Sequence, residues 1–421
     1  MEPTAWTPTE PIAPTRTEPT PEPEASPGGL AVLIGAEGTQ AFLRDAFGKR
    51  AHRARIAPEA AVGLFGWPQL NAALAEHRLT PPRLRLERAG GDVTAGVFRS
   101  RRTRRGALLQ DLDAAALTAR LREGATLIVD AVNEISPPLQ RLCAELSAQF
   151  AASCQANLYA CWGQTQGFDV HWDDHEVFVV QVQGRKQWAL YGATEVSPTR
   201  RGAAAQAADA PQVEPERVVL EPGDVLYLPR GFWHGAVGLG GPTLHLTVGL
   251  TRKTGADLLR WLADELLADP AVRADLSFEA GDEAVAAQLA ALLARVGAGD
   301  AGALARRYRR HVEAGLVQRP QLRFPDIGGD QPLGADARLA LAQGAARVEI
   351  ADGGLVLSWR GVEFTLAPAL EAPVRRLVAG QAVPVAAFRE AAPEATQEQV
   401  EAFLRELLRR GTLIRHGEER R

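Results

Sequence analysis

The chain has 421 residues, 46% hydrophobic and 23% charged, which is ordinary for a soluble globular protein and enough for two or three separately cored units. A formal net charge of −4 argues against binding a polyanion by bulk electrostatics, and no apolar run reaches the length needed to cross a bilayer. The amino terminus lacks the basic start and apolar core of a secretory signal. Cys143, Cys154 and Cys161 show no metal or CxxC spacing, so reduced, buried thiols in a cytoplasmic protein are expected.

Residues 1–28 are Pro, Thr and Glu in near alternation and are expected to be disordered, having too little apolar surface to offset ordering entropy. A helix-like stretch follows at 40–47, and Gly63 to Trp67 reads as loop and packing surface. The spacing predicts a helix over 113–122 with Gly124 just past its end, a short strand at 126–129, and a helix opened by Ser136 as N-cap before Pro137 and Pro138. In that last helix Leu139, Leu142, Cys143, Leu146 and Phe150 share a face.

Strand patterns dominate from 155 to 250: a strand around 157–160, another from 171 to 182, a turn near Gly184, and a return strand at 186–191. A polar, alanine-rich insertion (193–216) precedes further strands at 218–228 and 243–250. Several antiparallel strands with inward-pointing metal ligands predict a double-stranded β-helix of the jelly-roll class within an α+β chain. After Gly255 the pattern is helical, with amphipathic stretches at 258–267, 285–296 and 303–317 expected to pack on a neighbour or form a dimer interface. The final stretch predicts a hairpin (355–358 and 362–366), helices at 370–378 and 385–391, and a last helix opened by a capping box at Thr396 and ended at Gly411. Together these suggest a winged-helix-like module. The expected organisation is therefore a tail (1–28), a catalytic unit (29–254), a helical, dimerising region (255–325) and a winged-helix-like unit (326–417).

Chemistry concentrates in two motifs. The first is Val170-His171-Trp172-Asp173; the second is Gly223-Asp224-Val225-Leu226-Tyr227-Leu228-Pro229-Arg230-Gly231-Phe232-Trp233-His234. On a strand His171 and Asp173 would leave the same face, and His234 is expected in a short turn closing the second apolar strand. Two imidazoles and one carboxylate form the facial ligand set of non-haem Fe(II) oxygenases, although manganese or nickel suits similar ligands. His175 shares the inward parity and could join or replace Asp173, whereas Asp174 points away. His245 on the last strand could reach the cavity but reads rather as a satisfied core histidine.

An oxygenase also needs a co-substrate site. The distal carboxylate of a 2-oxoglutarate-like dicarboxylate calls for a deep cation. Of 47 basic residues only Lys49, Lys186 and Lys253 are lysines, and Lys186 shares an apolar face with Trp188 and Leu190, a costly position unless an anion meets it. Asn157 and Tyr159 on the preceding strand, and Thr247 on the last, are further candidate contacts. Trp172, Phe178 and Trp188 are expected to line a dry cavity.

Asn157-Leu158-Tyr159, Gln166-Gly167-Phe168, His171 to His175, Gly184-Arg185-Lys186-Gln187-Trp188 and Gly223 to His234 resemble the JmjC/cupin-type 2-oxoglutarate oxygenases, most closely the ribosomal oxygenases. The similarity extends less specifically over roughly residues 30–415. It implies Fe(II) at His171, Asp173 and His234, and 2-oxoglutarate held by Lys186 with help from Asn157 and Tyr159. It also implies a homodimerising helical region, a C-terminal winged helix, and hydroxylation of an arginine or histidine of a ribosomal protein. The sequence departs from relatives between Tyr159 and Phe168, where they often carry a proline-containing turn, and in the 193–216 insertion; both could border the substrate groove. Rival expectations are the same chemistry on a biosynthetic peptide or small metabolite, and a non-catalytic metal-binding scaffold. The last helix mixes Glu398, Glu401 and Glu406 with Arg405, Arg409 and Arg410 and so offers no clean basic face; no direct nucleic-acid binding and no membrane association are expected of the protein.

Overall fold

The computed structural model describes residues 28–164, 167–199, 211–297, 299–316, 321, 332–351 and 354–416. The tail up to residue 27, Gln166, residues 200–210 of the insertion, Val317 and the boundary expected at 325/326 lie outside the described residues.

Helices Leu30–Ile34 and Thr39–Asp45 lead to strand β1 (His52–Arg55) and then to helices Pro58–Leu64 and Trp67–Glu76. The expected loop at 63–67 is thus largely a helix end and a helix start. Pro68 occupies the first turn and Gln69 Oε1 accepts the Gly66 N–H at 3.0 Å, which begins the second helix there. Strands β2 (Leu84–Arg88) and β3 (Gly91–Asp92) form one hairpin, and β4 (Phe98–Arg102) and β5 (Leu108–Leu112) another. Asp113 accepts the N–H groups of Ala115 and Ala116 and caps helix Ala114–Arg122. Strand β6 (Thr126–Val129) follows, then helix Pro137–Phe150. Ser136 does not cap that helix as expected; its hydroxyl donates instead to the Leu64 carbonyl at 3.1 Å.

The central strands are β7 (Ser153–Cys161), β8 (Glu176–Gln183), β9 (Lys186–Ala193), β10 (Glu216–Leu220), β11 (Asp224–Leu228), β12 (Phe232–Gly238) and β13 (Thr243–Thr251). They form a large sheet ordered β1-β11-β8-β13-β7-β6-β2-β3 and a small one ordered β10-β9-β12, the two leaves of a jelly roll. Every residue of β8 from Glu176 to Val182 is buried because both of its faces are covered. Val177 and Val179 pack between the sheets with Trp188, Leu190, Val218 and Leu226. Phe178, Val180 and Val182 point the other way, into a larger core with the N-terminal helices and helix Pro137–Phe150.

Two expectations about strands change. The stretch 171–182 is not one strand: β8 starts only at Glu176, and His171 forms an isolated bridge. The stretch 218–228 divides between the two sheets, because Pro222 and Gly223 break it. Gly223 has φ +90°, and a Cβ there would stand 2.5 Å from the Ile56 carbonyl oxygen.

The remaining chain runs through helices Gly255–Glu265, Pro270–Arg273, Asp282–Gly297 and Ala301–Ala314. Beyond them lie β14 (Arg338–Leu341), β15 (Ala346–Ala351), β16 (Gly354–Trp359) and β17 (Val362–Leu366), then helix Glu371–Val378, β18 (Val383–Pro384), helices Val385–Ala391 and Gln397–Arg409, and β19 (Leu413–His416). The expected hairpin is β16–β17 with β15 added, and a second sheet runs β18-β14-β19. Leu339, Leu357, Val374, Phe388, Leu404 and Leu413 belong to a core separate from those of the jelly roll. Thr396 Oγ accepts the Gln399 N–H while Gln399 Oε1 accepts that of Thr396, the expected capping box. Among the described residues no single helix is long and apolar enough to cross a membrane.

One buried tether fastens the N-terminal helices to the large sheet. The Tyr227 hydroxyl donates to Glu176 and accepts the Gly48 N–H at 2.7 Å, while its ring meets Phe42 edge-on at 4.9 Å. Tyr227→Phe leaves both Glu176 and Gly48 short of a partner. Urea unfolding should show a loss of about 1–3 kcal/mol, the usual penalty for a buried group left unsatisfied.

Candidate functional site

His171 and His234 are held by backbone pairing. The His171 N–H donates to the His234 carbonyl at 3.0 Å, and the His234 N–H returns the bond at 2.8 Å. His234 lies within β12, not in the turn expected for it, and the β12–β9 register shifts between Trp233 and His234. This bulge turns the His234 imidazole toward His171, leaving ring centroids 4.5 Å apart. Asp173 sits outside any strand, in a segment fastened by the Gly231 N–H donating to the Asp173 carbonyl at 2.9 Å. The spacing of two thus works through a loop pinned to β12 and its approach turn, not through strand parity.

One ligand atom from each of His171, Asp173 and His234 lies within 4.8 Å of the others. His171 Nδ1 lies 2.8 Å from the Asp169 carbonyl and His234 Nδ1 lies 2.9 Å from that of Phe232. A carbonyl can only accept, so each Nδ1 carries the proton and each Nε2 keeps a lone pair. Burial pulls the His234 imidazole below its ordinary pKa, with Asp173 acting against it, which favours the neutral form a metal needs. His175 is excluded from this cluster. Its Nδ1 meets Asp174 at 3.2 Å, and its ring fills the space above Gly249, where a Cβ would lie 2.9 Å from Nε2.

The three groups open onto a cavity of about 330 Å³, and every candidate co-substrate contact lines it: Lys186, Asn157, Tyr159 and Thr247. β7 and β13 pair Asn157 with Thr247 and Tyr159 with His245, so these four side chains share the inner face. Lys186 is buried on β9, and among the described residues no carboxylate pairs with it. Burial lowers its pKa. Asn157 Oδ1 accepts the Ala131 N–H and the Gln155 amide, which leaves its own NH₂ as the group to offer. Burial pushes the Tyr159 phenol up to about 12, so it stays a donor at neutral pH. The Trp188 indole N–H is buried on the same wall and meets no acceptor. A buried cation and an unpaired buried donor are the features a dicarboxylate would satisfy, and the open lone pairs are those a divalent metal would take.

The expected lining needs two corrections and two additions. Phe178 faces the large core, since its odd-numbered neighbour Val177 takes the cavity side, and Trp172 is buried without lining the cavity. His245 does line it, stacked on Tyr159 at 4.9 Å and 10°. Its alternation with Thr247 was a usable signal for this. Arg85 of β2 also lines the cavity, with its guanidinium over Phe168 and bonds to Asp130 and Glu87. It falls in one cross-strand row with Ile128, Tyr159 and His245, a register no local pattern reveals.

Residues 131–258 match the JmjC domain model. Over 151 residues, 34% of this chain, the sequence is 36% identical to ribosomal oxygenase 1 of Rattus norvegicus. Over 100 residues, 24% of the chain, it is 39% identical to the bifunctional lysine-specific demethylase and histidyl-hydroxylase NO66 of Drosophila persimilis. These matches span only 25% and 14% of the two relatives' own lengths. The fold resembles that of the Escherichia coli ribosomal oxygenase YcfD, solved with cobalt and succinic acid, at a TM-score of 0.56 and 19% identity. That likeness covers 90% of this chain and 98% of that one. A further YcfD structure holds cobalt and 2-oxoglutarate.

Two outcomes test the electrostatics. Lys186→Met removes a buried, unpaired cation, so the metal-free protein should gain about 1–3 kcal/mol in urea unfolding while losing affinity for 2-oxoglutarate in calorimetry. Burial, and secondarily Lys186, holds the folded-state pKa of His245 well below 6.5. The stability it contributes is therefore present above about pH 6.5 and is lost as pH falls. His245→Phe should make that acid loss shallower in a pH series of unfolding curves.

Proposed function

We propose that the chain, whose residues 131–258 match the JmjC domain model, is an Fe(II)- and 2-oxoglutarate-dependent oxygenase of the ribosomal oxygenase type that hydroxylates a protein side chain, an arginine or a histidine of a ribosomal protein. The observation that carries this reading is one cavity lined both by three convergent metal-type ligands and by a buried lysine with no carboxylate partner.

His171, Asp173 and His234 would hold the iron, and iron bound there supplies activation of dioxygen coupled to oxidative decarboxylation of the 2-oxo acid. The protein's own part is positional. The Asp169 and Phe232 carbonyls fix the two imidazole tautomers and aim each Nε2. Lys186 takes the distal carboxylate, with the Tyr159 hydroxyl, the Thr247 hydroxyl and the Asn157 amide as further donors. Trp188 and Phe168 exclude water from the wall.

The organisation proposed is a catalytic unit over 29–254, a helical region over 255–325 and a winged-helix-like unit over 326–417. Helix Asp282–Gly297 has no buried residue, and Leu289 and Leu293 are 55% and 63% exposed, which supports the helical region as a homodimer contact. Three short helices beside two three-stranded sheets support the winged-helix reading, as a protein-contact module. A ribosomal substrate and three free cysteines fit the cytoplasm.

Mass spectrometry of ribosomal proteins from cells with and without the gene should find one site carrying an added oxygen only in the former. With that protein as substrate, His171→Ala and Asp173→Ala should each lower succinate release by at least about 100-fold. Native-rate turnover in either variant would contradict the ligand assignment.

A further inference from the structure

Away from the cavity, the β4–β5 hairpin carries a run of basic residues. Residues 99–105 read Arg-Ser-Arg-Arg-Thr-Arg-Arg, five cations without an acidic residue, in a chain of net charge −4. The two strands pair only with each other, as a separate two-stranded sheet, and residues 104–108 are all exposed. The turn is well defined: the Gly106 N–H donates to Thr103 O at 2.9 Å, Thr103 N–H donates to Ala107 O at 2.9 Å, and the Arg102 guanidinium reaches Gly106 O at 3.2 Å.

The register divides the arginines into two groups. Arg99 pairs with Asp113 and Arg101 with Asp111, each across the base of the ribbon. Arg102, Arg104 and Arg105 lie at the tip, and among the described residues no carboxylate pairs with any of them. The base is thus neutralised and anchored while the tip keeps its charge.

We propose that this hairpin is an RNA-binding ribbon that docks the enzyme through phosphate contacts from Arg102, Arg104 and Arg105. A guanidinium matches phosphate geometry with two parallel N–H bonds. A two-stranded ribbon with a cationic tip is convex and can lay its guanidinium groups along the phosphates that flank a nucleic-acid groove, contacts that RNA duplexes offer by shape and backbone rather than by base edges. The exposed stretch 104–108 holds no aromatic residue, and Leu108 is its one large apolar side chain, too little to anchor the ribbon in a lipid surface. The choice of RNA over DNA rests on the ribosomal-substrate reading above. The whole-chain charge does not oppose it, since phosphate contact is set by local cations.

Fluorescence anisotropy on the full chain tests this, with a labelled RNA stem-loop, a DNA duplex of the same stem sequence, poly-glutamate, and vesicles of phosphatidylcholine with phosphatidylserine. The wild type should bind the RNA most tightly. In R102S/R104S/R105S the dissociation constant should rise about tenfold or more, and the slope of log affinity against log salt should shrink by about 2–3 for three lost phosphate contacts. The melting temperature and succinate release should stay at wild-type values, because the hairpin does not line the cavity. Equal RNA binding by wild type and variant, or no RNA binding by the wild type, would overturn the proposal. Tighter binding of DNA, poly-glutamate or vesicles than of RNA would overturn the assignment to RNA. RNA binding is read without turnover, so an Asp173→Ala protein that still binds RNA separates failure of this proposal from failure of the oxygenase reading.

Discussion

The pair of backbone hydrogen bonds between His171 and His234 is the constraint on which the site depends. Without it, one histidine would sit on a loop after β7 and the other on an edge strand of the small sheet, with no fixed distance between them. The bridge joins the two segments at the open end of the jelly roll. The adjacent bulge on β12 turns one imidazole toward the other, and the Gly231–Asp173 bond brings the carboxylate alongside. Because each imidazole is also held through Nδ1 by a carbonyl two residues back in the chain, the ligand set is preorganised by main-chain geometry alone. Metal binding then need not pay much to order its ligands.

The rest of the cavity follows from the two-sheet architecture. β7 and β13 present Asn157, Tyr159, His245 and Thr247 from the large sheet, while β9 presents Lys186 and Trp188 from the small one. A deep lysine costs stability unless an anion meets it, and that cost favours an anionic ligand in this cavity. Tyr159 reinforces the same bias, since burial keeps its phenol protonated and donating.

Much of this site is legible in the sequence. Lys186, Asn157, Tyr159 and Thr247 reach one cavity because side-chain alternation on a strand survives whatever the sheet order turns out to be, whereas the residue types of the triad were readable but its assembly through a pinned loop and a bulge was not. What local pattern could not supply was pairing. Arg85 reaches the cavity through a row of registers that crosses β2, β6, β7 and β13, and the bulge that aims His234 depends on which strand lies beside β12. Phe178 was misplaced for a related reason. β8 is buried on both faces, so its hydrophobicity carries no clue to which side is the cavity. In the C-terminal part, helices announced themselves by caps and periodicity, whereas the short strands β14, β15, β18 and β19 exist only through their partners.

The central claim is that one cavity holds both a divalent iron and a 2-oxo acid. It is tested most directly by anaerobic titration of Fe(II)-loaded protein with 2-oxoglutarate, following the visible charge-transfer band that a 2-oxo acid gives when it chelates Fe(II). The wild type should give a saturable band at one equivalent of each, and Lys186→Met should require much higher 2-oxoglutarate. Iron bound at one equivalent with no band at any 2-oxoglutarate concentration would contradict that claim.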